Sequence, residues 1–517
     1  MSSLRTESVS GHEWCPAARW LTLMVVLAFA DLGSAATVDP HVLDMANNGN
    51  EVDVLLVFQD QSPQIPAPMR PGADPRASRR AMVAALQARA SHAQQQVRAW
   101  LDTQAVVHRD FWIANLIEAH VPREALAALA ARADIARIDA NPHVTMALPI
   151  DEVAGVSRDA ATATASIAWG VAKVEAPAVW AAGFTGQDVV IGGEDTGYQW
   201  DHPALKTHYR GWNGTGVDHN YNWHDAIHDS SGNPCDNDAL APCDDDTHGT
   251  HTAGTFAGDD GAGNQIGVAP GAKWIGCRNM DRGTGTPARY IECMQWMLAP
   301  TDLAGANANP DLGADVVSNS WSCPEAAPPT GEGCTPADIL QAAVANLVAG
   351  GVFYAVAAQN SGSGCATIFD PPAIYDESFD VGSTDSSDRL SSFSSRGPVA
   401  TSSLIRPDLS APGSSVYSSV PPNSFGFKSG TSMATPHVAG VAALLMSAFP
   451  SLKGHPDRIA AILRATATTS GIGNTNGVIQ SCGGTPMTQW PNYMAGYGRI
   501  DAWNAYHEVI FADGFEN

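Results

Sequence analysis

Three short segments of the chain carry residue types that together can do nucleophilic and acid–base chemistry. Asp195 follows the apolar run Val189–Ile191, His248 lies in a stretch rich in Gly and Thr, and Ser432 lies in Gly430-Thr431-Ser432-Met433-Ala434-Thr435-Pro436-His437. A neutral imidazole can accept the proton of a weak hydroxyl nucleophile, and a carboxylate can orient that imidazole. If the fold brings them together, Asp195, His248 and Ser432 predict acyl transfer through a serine.

Each of these residues also has a simpler interpretation, which the residues taken singly leave open. An Asp after a strand is often only a turn residue, and a Ser before a helix is often only its N-cap. His248 and His251 are three residues apart and could hold a metal, although no His-Glu-x-x-His pattern is present. His437 is expected to pack inside a helix.

The elements that must position these residues are predicted by apolar runs of strand length after residue 165. Such runs occur at Val189–Ile191, Val316–Val317 and Val352–Ala358, and they alternate with helical stretches at Pro287–Leu298 and Pro336–Val348. Runs without polar alternation indicate strands that are buried on both faces, hence a doubly wound, mostly parallel sheet flanked by helices. Sites in such α/β folds gather at the carboxyl ends of the strands, where Asp195 is expected.

The part before residue 150 predicts a smaller, separate unit. Val52–Phe58 is strand-like, and apolar residues recur at steps of three and four over Ala77–Leu101, which is typical of one helix face. Further strand-like or helical stretches are expected at 112–120, 122–132, 135–139 and 143–146. The pattern favours a small α+β, ferredoxin-like module without catalytic residues, which could be a binding module or a removable pro-segment.

Composition and charge exclude several classes of protein. The 517 residues carry 28 Lys plus Arg against 53 Asp plus Glu, a formal net charge of −25, most of it after residue 150. Such an acidic chain is expected to bind nucleic acid poorly, because both carry negative charge. With 44% hydrophobic and 16% charged residues, the composition indicates a compact protein rather than a disordered one.

The start of the chain has the pattern of a secretory leader. Trp20–Ala30 is apolar, follows Arg19, and precedes the small residues Gly33-Ser34-Ala35-Ala36. We therefore expect residues 1–36 to be a signal peptide; a buried N-terminal helix is the alternative. No later run reaches about 18 apolar residues, so no transmembrane anchor is expected. The predicted location is extracellular, with the periplasm less favoured.

The number of cysteines is consistent with an exported protein that forms disulfides. After Cys15 in the leader, eight remain, all after residue 150: Cys235, Cys243, Cys277, Cys293, Cys323, Cys334, Cys365 and Cys482. Eight cysteines permit 105 pairings, and the sequence does not choose among them. The close pairs Cys235 with Cys243 and Cys323 with Cys334 are the first expected disulfides. Zinc is the competing interpretation, but no Cys-x-x-Cys pair occurs.

Taken together, the order Asp, His, Ser and the string around Ser432 resemble the subtilisin-like serine peptidase (subtilase) family. The resemblance extends over roughly residues 165–505. Within the family, the segments 295–300 and 318–321 are most similar to the bacillopeptidase F branch. The resemblance implies a signal peptide (1–36), an inhibitory propeptide (37–150), a processing linker (151–168), a catalytic domain (169–507) and a short tail (508–517).

The resemblance also implies roles for individual residues. Asp195, His248 and Ser432 would form the catalytic triad, and Asn360 would donate from its amide to the oxyanion. Gln359 stands where the family usually has Gly, which predicts a strained turn. No cofactor is expected in catalysis; structural calcium is frequent in the family, but its ligands are unassigned here.

Substrate recognition is expected at two places. An extended peptide would add as a strand beside 318–322, where Ser320, Trp321 and Ser322 stand. Asp246, two residues before His248, could favour a basic residue just before the cleavage residue, as acidic neighbours do in kexin-like relatives. Solvation or calcium binding by Asp244 to Asp246 is an equally weighted alternative.

The resulting prediction is a secreted, monomeric serine endopeptidase that acts on protein or peptide substrates and is inhibited by its own propeptide. A catalytically silent secreted binding protein with the same fold is the alternative. A peptide ligase would use the same acyl-enzyme and differ only in whether an amine or water attacks it.

Overall fold

The computed structural model describes residues 35–49, 51–61, 74–146, 166–324, 333–474 and 477–512. The predicted leader up to Ser34, the linker up to residue 165 and the end of the tail from residue 513 lie outside these ranges. Among the described residues, no helix is both long and apolar enough to cross a membrane.

The first unit is a five-stranded sheet with helices packed on it. Its strands are β1 (Thr37–Val38), β2 (Glu51–Phe58), β3 (His108–Phe111), β4 (Leu116–Pro122) and β5 (Ile135–Ala140), followed by a short β6 (Val144–Thr145); its helices are α1 (Pro40–Asn48), α2 (Pro75–Thr103) and α3 (Arg123–Ala130). The strand order is β1-β5-β2-β4-β3, with only β1 and β5 parallel. This mixed sheet confirms the small α+β unit.

The strand expected within residues 112–120 is present, but it begins only at Leu116. Trp112 to Asn115 instead form the turn of the β3–β4 hairpin. Asn115 takes a positive φ of 44°, and Ile113 is buried in the core of the second unit. Tertiary burial of these apolar residues, rather than strand pairing, explains the pattern.

The second unit has a nine-stranded sheet at its centre. The strands of this unit are β7 (Ser166–Ile167), β8 (Val190–Asp195), β9 (Trp223–Asp225), β10 (Asn264–Gln265), β11 (Lys273–Arg278), β12 (Thr284–Gly285), β13 (Val316–Asn319), β14 (Phe353–Ala357), β15 (Phe379–Thr384), β16 (Arg389–Leu390), β17 (Leu409–Pro412), β18 (Val416–Val420), β19 (Ser424–Lys428), β20 (Gly473–Asn474), β21 (Ser481–Cys482) and β22 (Thr485–Pro486). The order of the large sheet is β20-β16-β15-β14-β13-β8-β11-β9, with β17 beside β15. Only β15 and β16 pair antiparallel.

Helices cover both faces of this sheet. They are α4 (Trp169–Lys173), α5 (Ala176–Ala181), α6 (His248–Ala257), α7 (Pro287–Leu298), α8 (Gln341–Ala349), α9 (Thr431–Ala448), α10 (Pro456–Thr466) and α11 (Ala502–Ala512), with 3-10 turns at Pro310–Leu312 and Pro450–Leu452. The doubly wound α/β prediction is confirmed, and α7 has the predicted bounds. The helix expected from Pro336 begins only at Gln341.

Alternate residues of the central strands enter two different cores. Val316 and Phe353 pack in the cluster that contains residues of α9, whereas Val317 and Tyr354 pack in the cluster that contains residues of α7. Both faces of the strands are therefore covered, which is why their sequences show no polar alternation.

Four disulfides close loops of the second unit. Cys235–Cys243 and Cys323–Cys334 confirm the two expected pairs. Cys277–Cys293 joins β11 to α7, and Cys365–Cys482 links positions 117 residues apart. The sequence did not select these last two, because partners distant along the chain are chosen only by the fold.

Candidate active site

Asp195 and His248 meet at the carboxyl end of the central strand β8. Asp195 is the last residue of β8, His248 is the first residue of α6, and both side chains are buried. His248 Nδ1 lies 2.6 Å from Asp195 Oδ1. The Thr196 N–H donates to the same oxygen at 2.7 Å, and the Thr252 hydroxyl donates to Oδ2 at 3.2 Å. The carboxylate is thus held in one orientation and in turn fixes the imidazole.

The start of α6 is held by a second carboxylate, Asp244. It accepts hydrogen bonds from the Thr247 N–H at 2.9 Å, from the Thr250 N–H at 2.9 Å and from the Thr196 hydroxyl at 2.9 Å. A carboxylate that accepts from backbone N–H groups at a helix start satisfies donors that have no partner within the helix. Asp244 therefore fixes the first turn of α6, and with it the position of His248.

Asp245 is also engaged within the protein. Its Oδ1 accepts from the Arg282 N–H at 2.9 Å, and its Oδ2 forms an ion pair with Arg278 at 3.3 Å. Burial raises its pKa to about 7, against the opposing effects of these partners. Asp244 and Asp245 thus have protein partners, and among the described residues no group of three or more His, Cys, Asp or Glu is arranged to hold a metal ion.

Ser432 is the second residue of α9 and is tied to the segment after β13. Its hydroxyl donates to the Ser320 carbonyl at 3.0 Å, and the Ser320 hydroxyl donates to the Ser432 carbonyl at 3.0 Å. Pro436 has no N–H to offer the Ser432 carbonyl, so the Ser320 hydroxyl takes the place of the missing helix donor. The hydroxyl is therefore not bonded to His248, whose Nε2 is buried and lacks a hydrogen-bond partner among the described residues.

Although they are not bonded, His248 and Ser432 lie at the same edge of the fold. Each stands at the start of a helix, and α6 and α9 pack against each other. The starts of both helices lie next to the carboxyl ends of parallel strands. The structure thus joins Asp195 to His248 directly and places Ser432 on the neighbouring helix.

Asn360 is held against the residue that precedes Ser432. It is exposed, and its Oδ1 accepts from the Thr431 N–H at 2.9 Å and from the Thr431 hydroxyl at 3.1 Å. Because the amide oxygen is engaged, the NH₂ group is the end of this side chain that can donate to a bound molecule.

Gln359, next to Asn360, occupies a conformation that favours glycine. Its φ is 76°, as expected for a position where glycine is usual, and its side chain is buried. Its Nε2 donates to the Asp370 carbonyl at 2.8 Å, and its Oε1 accepts from the Phe369 N–H at 3.3 Å. These two hydrogen bonds offset the strain of a side chain at positive φ.

A cavity of about 150 Å³ lies beside Ser432. It is lined by Met146, Ser320, Trp321, Ser322, Pro324, Ala357, Gln359, Asn360, Ser361, Asp370, Thr431 and Ser432. The Trp321 ring stacks on Tyr290 with centroids 3.8 Å apart and planes at 12°, so Tyr290 supports the wall that Trp321 forms. The segment predicted to bind substrate, Ser320 to Ser322, thus borders the same cavity as Ser432 and Asn360.

The end of the first unit reaches the cavity beside Ser432. β6 pairs antiparallel with β12, with Val144 opposite Gly285 and Thr145 opposite Thr284, and the Met146 N–H donates to the Gly283 carbonyl at 2.9 Å. Val144 is fully buried, and Met146 lines the cavity beside Ser432. A segment of the chain therefore lies as an added strand beside the cavity.

Asp246 is partly buried close to His248. Burial is the largest cause of its raised pKa, and the charges of His248 and Lys428 oppose that rise. Asp246 is therefore near both the imidazole and a buried cation.

Sequence reasoning missed three contributors to this site. Thr252 lies one turn from His248 on α6, a spacing that could have suggested contact with Asp195. The capping role of Asp244 could have been read from its position shortly before a helix. Met146 gave no local signal, since only the packing of the two units brings it to the cavity.

Comparison with known proteins decides the family, because the profile of the subtilase family matches residues 186–484, more than half of the chain. The chain belongs to the subtilase family of subtilisin-like serine peptidases. Its match to bacillopeptidase F of Bacillus subtilis (strain 168) is 33% identical over 449 residues, 83% of this chain and 29% of that protein. This agrees with the branch indicated by segments 295–300 and 318–321.

Two further relatives match shorter parts of this subtilase. Subtilisin E of Bacillus subtilis (strain 168) is 31% identical over 288 residues, 55% of this chain and 62% of the relative. M-protease of Shouchella clausii (strain KSM-K16) is 31% identical over 343 residues, 66% of this chain and 75% of the relative. The chain thus spans less than two thirds of the length of bacillopeptidase F and of subtilisin E.

Proposed function

We propose that this subtilase is a secreted serine endopeptidase that hydrolyses peptide bonds through an acyl-enzyme and is made as a zymogen. The observation that carries the proposal is the buried Asp195–His248 pair, 2.6 Å apart, with the Ser432 hydroxyl at the start of the adjacent helix α9. A carboxylate bonded to Nδ1 leaves Nε2 as the basic nitrogen, and this nitrogen has no other partner among the described residues.

In the proposed mechanism, the Ser432 hydroxyl turns from the Ser320 carbonyl towards His248 Nε2. Ser432 then attacks the peptide carbonyl, His248 takes the hydroxyl proton and later gives it to the leaving amine, and water hydrolyses the ester on Ser432. Rearrangement of such a hydroxyl is ordinary, because catalytic hydrogen bonds are often incomplete until substrate binds.

Two donors are available for the developing oxyanion. The Ser432 N–H lies in the first turn of α9, where backbone N–H groups lack helix partners, and the Asn360 NH₂ group lies beside Thr431. The proposed catalytic step needs no cofactor. Structural calcium stays an expectation from the family resemblance.

The first unit, residues 37–150, is proposed to inhibit the enzyme before maturation. Its strand β6 occupies the edge of β12 and brings Met146 to the cavity, where an extended substrate would bind. Segments 1–36, 151–168, 169–507 and 508–517 keep the proposed roles of leader, processing linker, catalytic domain and tail. Release of the first unit would expose the cavity beside Ser432 to proteins and peptides.

Substrates are proposed to bind as a strand beside Ser320 to Ser322, with Asp246 selecting a basic residue just before the cleavage residue. Export is supported by the predicted leader and by the four disulfides, which are typical of oxidising compartments. We propose a monomer with no nucleic-acid partner.

Labelling with a serine-directed phosphonate tests the function. We expect the matured protein to be labelled and to cleave a peptide substrate, whereas Ser432→Ala should lose labelling and about 10⁶-fold in kcat. Ser447→Ala, on the same helix but at its far end, serves as the control and should behave as the unmodified protein.

The rival functions give different results in the same experiment. A catalytically silent binding protein would show neither labelling nor cleavage. Analysis of products in the presence of an added amine separates hydrolysis from ligation, because a ligase would yield the amide rather than the acid.

A further inference from the structure

The two oxygens of the Asp195 carboxylate have different partners. Oδ1 lies 2.6 Å from His248 Nδ1 and accepts from the Thr196 N–H at 2.7 Å. Oδ2 accepts from the Thr252 hydroxyl at 3.2 Å, and among the described residues no other donor to Oδ2 is present. Asp195 is 1% exposed and Thr252 is 2% exposed. Because a buried carboxylate depends on its donors, the negative charge of Asp195 is stabilised in part by Thr252.

The packing of α6 on β8 fixes Thr252 at this carboxylate. Thr252 lies four residues after His248, so both side chains are on one face of α6. Gly249 allows the helix to lie close to Asp195, because a Cβ at Gly249 would be 2.1 Å from the Gly197 carbonyl oxygen and 3.1 Å from Asp195 Cβ. The contact between Thr252 and Asp195 therefore follows from the placement of the backbone.

The Thr252 hydroxyl has one proton and two acceptors within reach. They are Asp195 Oδ2 at 3.2 Å and the Gly249 carbonyl, one turn back in α6, at 2.9 Å. While His248 is neutral, the carboxylate carries a full negative charge and is the stronger acceptor. Once His248 is protonated, the imidazolium neutralises that charge, and the bond from Thr252 contributes less. The hydroxyl therefore stabilises the state with a neutral imidazole more than the protonated state.

We infer that Thr252 is a positioning residue that acts through Asp195 to keep His248 neutral, and so able to accept a proton, at lower pH. The inference rests on the proposed peptidase function, in which a neutral imidazole must take the Ser432 proton. A threonine at this position therefore extends the peptidase activity towards acid conditions. Valine, which has nearly the same shape without the hydroxyl, would pack in its place but would not supply the donor.

The elements that pack around the Asp195–His248 pair carry other charged or titratable side chains. They are Asp244 and Asp246 before α6, His251 on α6, Glu194 on β8, Tyr198 after β8, Arg278 on β11, His437 on α9, Tyr417 on β18 and Lys428 on β19. Burial lowers the pKa of His251 to about 3 and that of His437 to about 4, so both rings are neutral near neutral pH. A substitution of Thr252 leaves all of these groups in place, so a change in the pH profile reports the lost hydroxyl.

The test measures kcat/KM of the matured enzyme as a function of pH on one peptide substrate. The acid limb of this profile reports protonation of the Asp195–His248 pair. In Thr252→Val the midpoint of this limb should rise by about 0.5 to 1 pH unit, because a carboxylate without its donor holds the imidazolium more strongly. Thr252→Ser keeps the hydroxyl and should retain the original midpoint.

Thr255→Val is the matched control. Thr255 is buried on the same helix, and its hydroxyl donates to the His251 carbonyl at 3.0 Å rather than to a carboxylate. This variant also loses a buried helix hydroxyl, but its acid limb should keep the midpoint of the unmodified enzyme.

Phosphonate titration counts the active sites of each variant, which separates a change in the pH profile from lost folding. If Thr252→Val has no titratable sites, Thr252→Ala takes its place, and the same rise is expected. An unchanged midpoint in the folded variant, or an equal rise in Thr255→Val, would overturn the inference and leave the peptidase function standing. If the unmodified protein shows neither cleavage nor labelling, the function and the inference fail together.

Discussion

At the scale of single residues, the site depends on carboxylates with different partners. Asp195 is bonded to an imidazole, Asp244 to the start of a helix and Asp245 to arginine. Asp246, in contrast, lies near His248 and Lys428, whose charges oppose the rise of its pKa caused by burial. Because each acid has its own partners, substitutions at neighbouring positions should have different effects.

Charge reversal at Asp246 tests its proposed role in recognition. In Asp246→Lys we expect kcat/KM for peptides with Arg just before the cleavage residue to fall about tenfold relative to the same peptides with Ala there. The reason is that a lysine at this position would repel the substrate cation that the Asp246 carboxylate is proposed to attract. The same reversal at exposed Asp457 is the control, and an unchanged Arg-to-Ala ratio in Asp246→Lys would dismiss the role.

At this scale, the sequence shows which residues belong to the site better than it shows which groups they bond to. The strings around Asp195, His248 and Ser432 are specific enough to select these residues. The orientation of the Ser432 hydroxyl depends on the Ser320 carbonyl, more than 100 residues away, and on a proline that leaves a helix acceptor open. Such contacts arise only from packing, so local patterns do not contain them.

At the scale of elements, α6 and α9 each bury a histidine outside the proposed chemistry. His251 on α6 is close to Val416, its Nε2 lying 3.0 Å from the Val416 carbonyl, and burial lowers its pKa to about 3. His437 on α9 lies with Nδ1 2.8 Å from the Met433 carbonyl, and burial lowers its pKa to about 4. Both rings are therefore neutral in the folded protein under mildly acidic conditions.

Because these two histidines are buried in the neutral form, we predict that the free energy of unfolding decreases in acid. Between pH about 6.5 and about 4, the unfolded chain protonates His437 and the folded chain does not, so lowering the pH favours unfolding. The expected decrease in the free energy of unfolding is about 3 kcal/mol from His437 alone. Urea unfolding of Ser432→Ala, which prevents self-digestion, should show this decrease between pH 7 and pH 4.

His437→Gln in the Ser432→Ala background provides the comparison. Glutamine can still donate to the Met433 carbonyl but takes up no proton, so the decrease in stability should be smaller. Equal pH dependence in the two proteins would contradict the assignment to His437.

Helices and strands of the second unit could be predicted where burial on both faces makes the sequence uniformly apolar. Val352–Ala358 and Pro287–Leu298 are examples, since every residue of β14 and nearly all of α7 are buried. The strand prediction failed at Trp112 to Asn115 because the apolar residues of this turn are buried against the second unit, and that burial does not require a strand.

At the scale of the whole molecule, hydrogen bonds between side chains of one unit and the backbone of the other join the first unit to the second. Gln295 Oε1 on α7 accepts from the N–H groups of Trp112 at 2.7 Å and Ile113 at 3.1 Å. Asn346 on α8 donates to the Ile113 carbonyl at 2.7 Å, and buried Arg79 on α2 donates to the Gly350 carbonyl at 2.9 Å. The β3–β4 turn thus docks on two helices of the second unit.

Gln295→Ala should weaken this docking. Loss of an acceptor leaves two N–H groups without that partner, so the module should dissociate roughly tenfold more readily after processing. The full-length protein should then develop peptidase activity with a shorter lag. Gln341→Ala, at the exposed start of α8, should keep the original lag, and identical lags in both variants would show that Gln295 does not hold the module.

The two-unit organisation could be predicted from the change in charge and pattern near residue 150. The docking surface could not, because Gln295 and Asn346 sit in helices whose sequences fit simple burial against the sheet. Their amides find hydrogen-bond partners in the β3–β4 turn, which lies 183 residues before Gln295 and 233 residues before Asn346.

The bridge between Cys365 and Cys482 encloses β15 to β20 and the whole of α9 and α10. A single backbone cut anywhere within that span would leave both fragments covalently joined. A nicked molecule would migrate near full length on a non-reducing gel and separate into pieces only after thiol treatment, so damage by other proteases would pass unnoticed unless the sample is reduced.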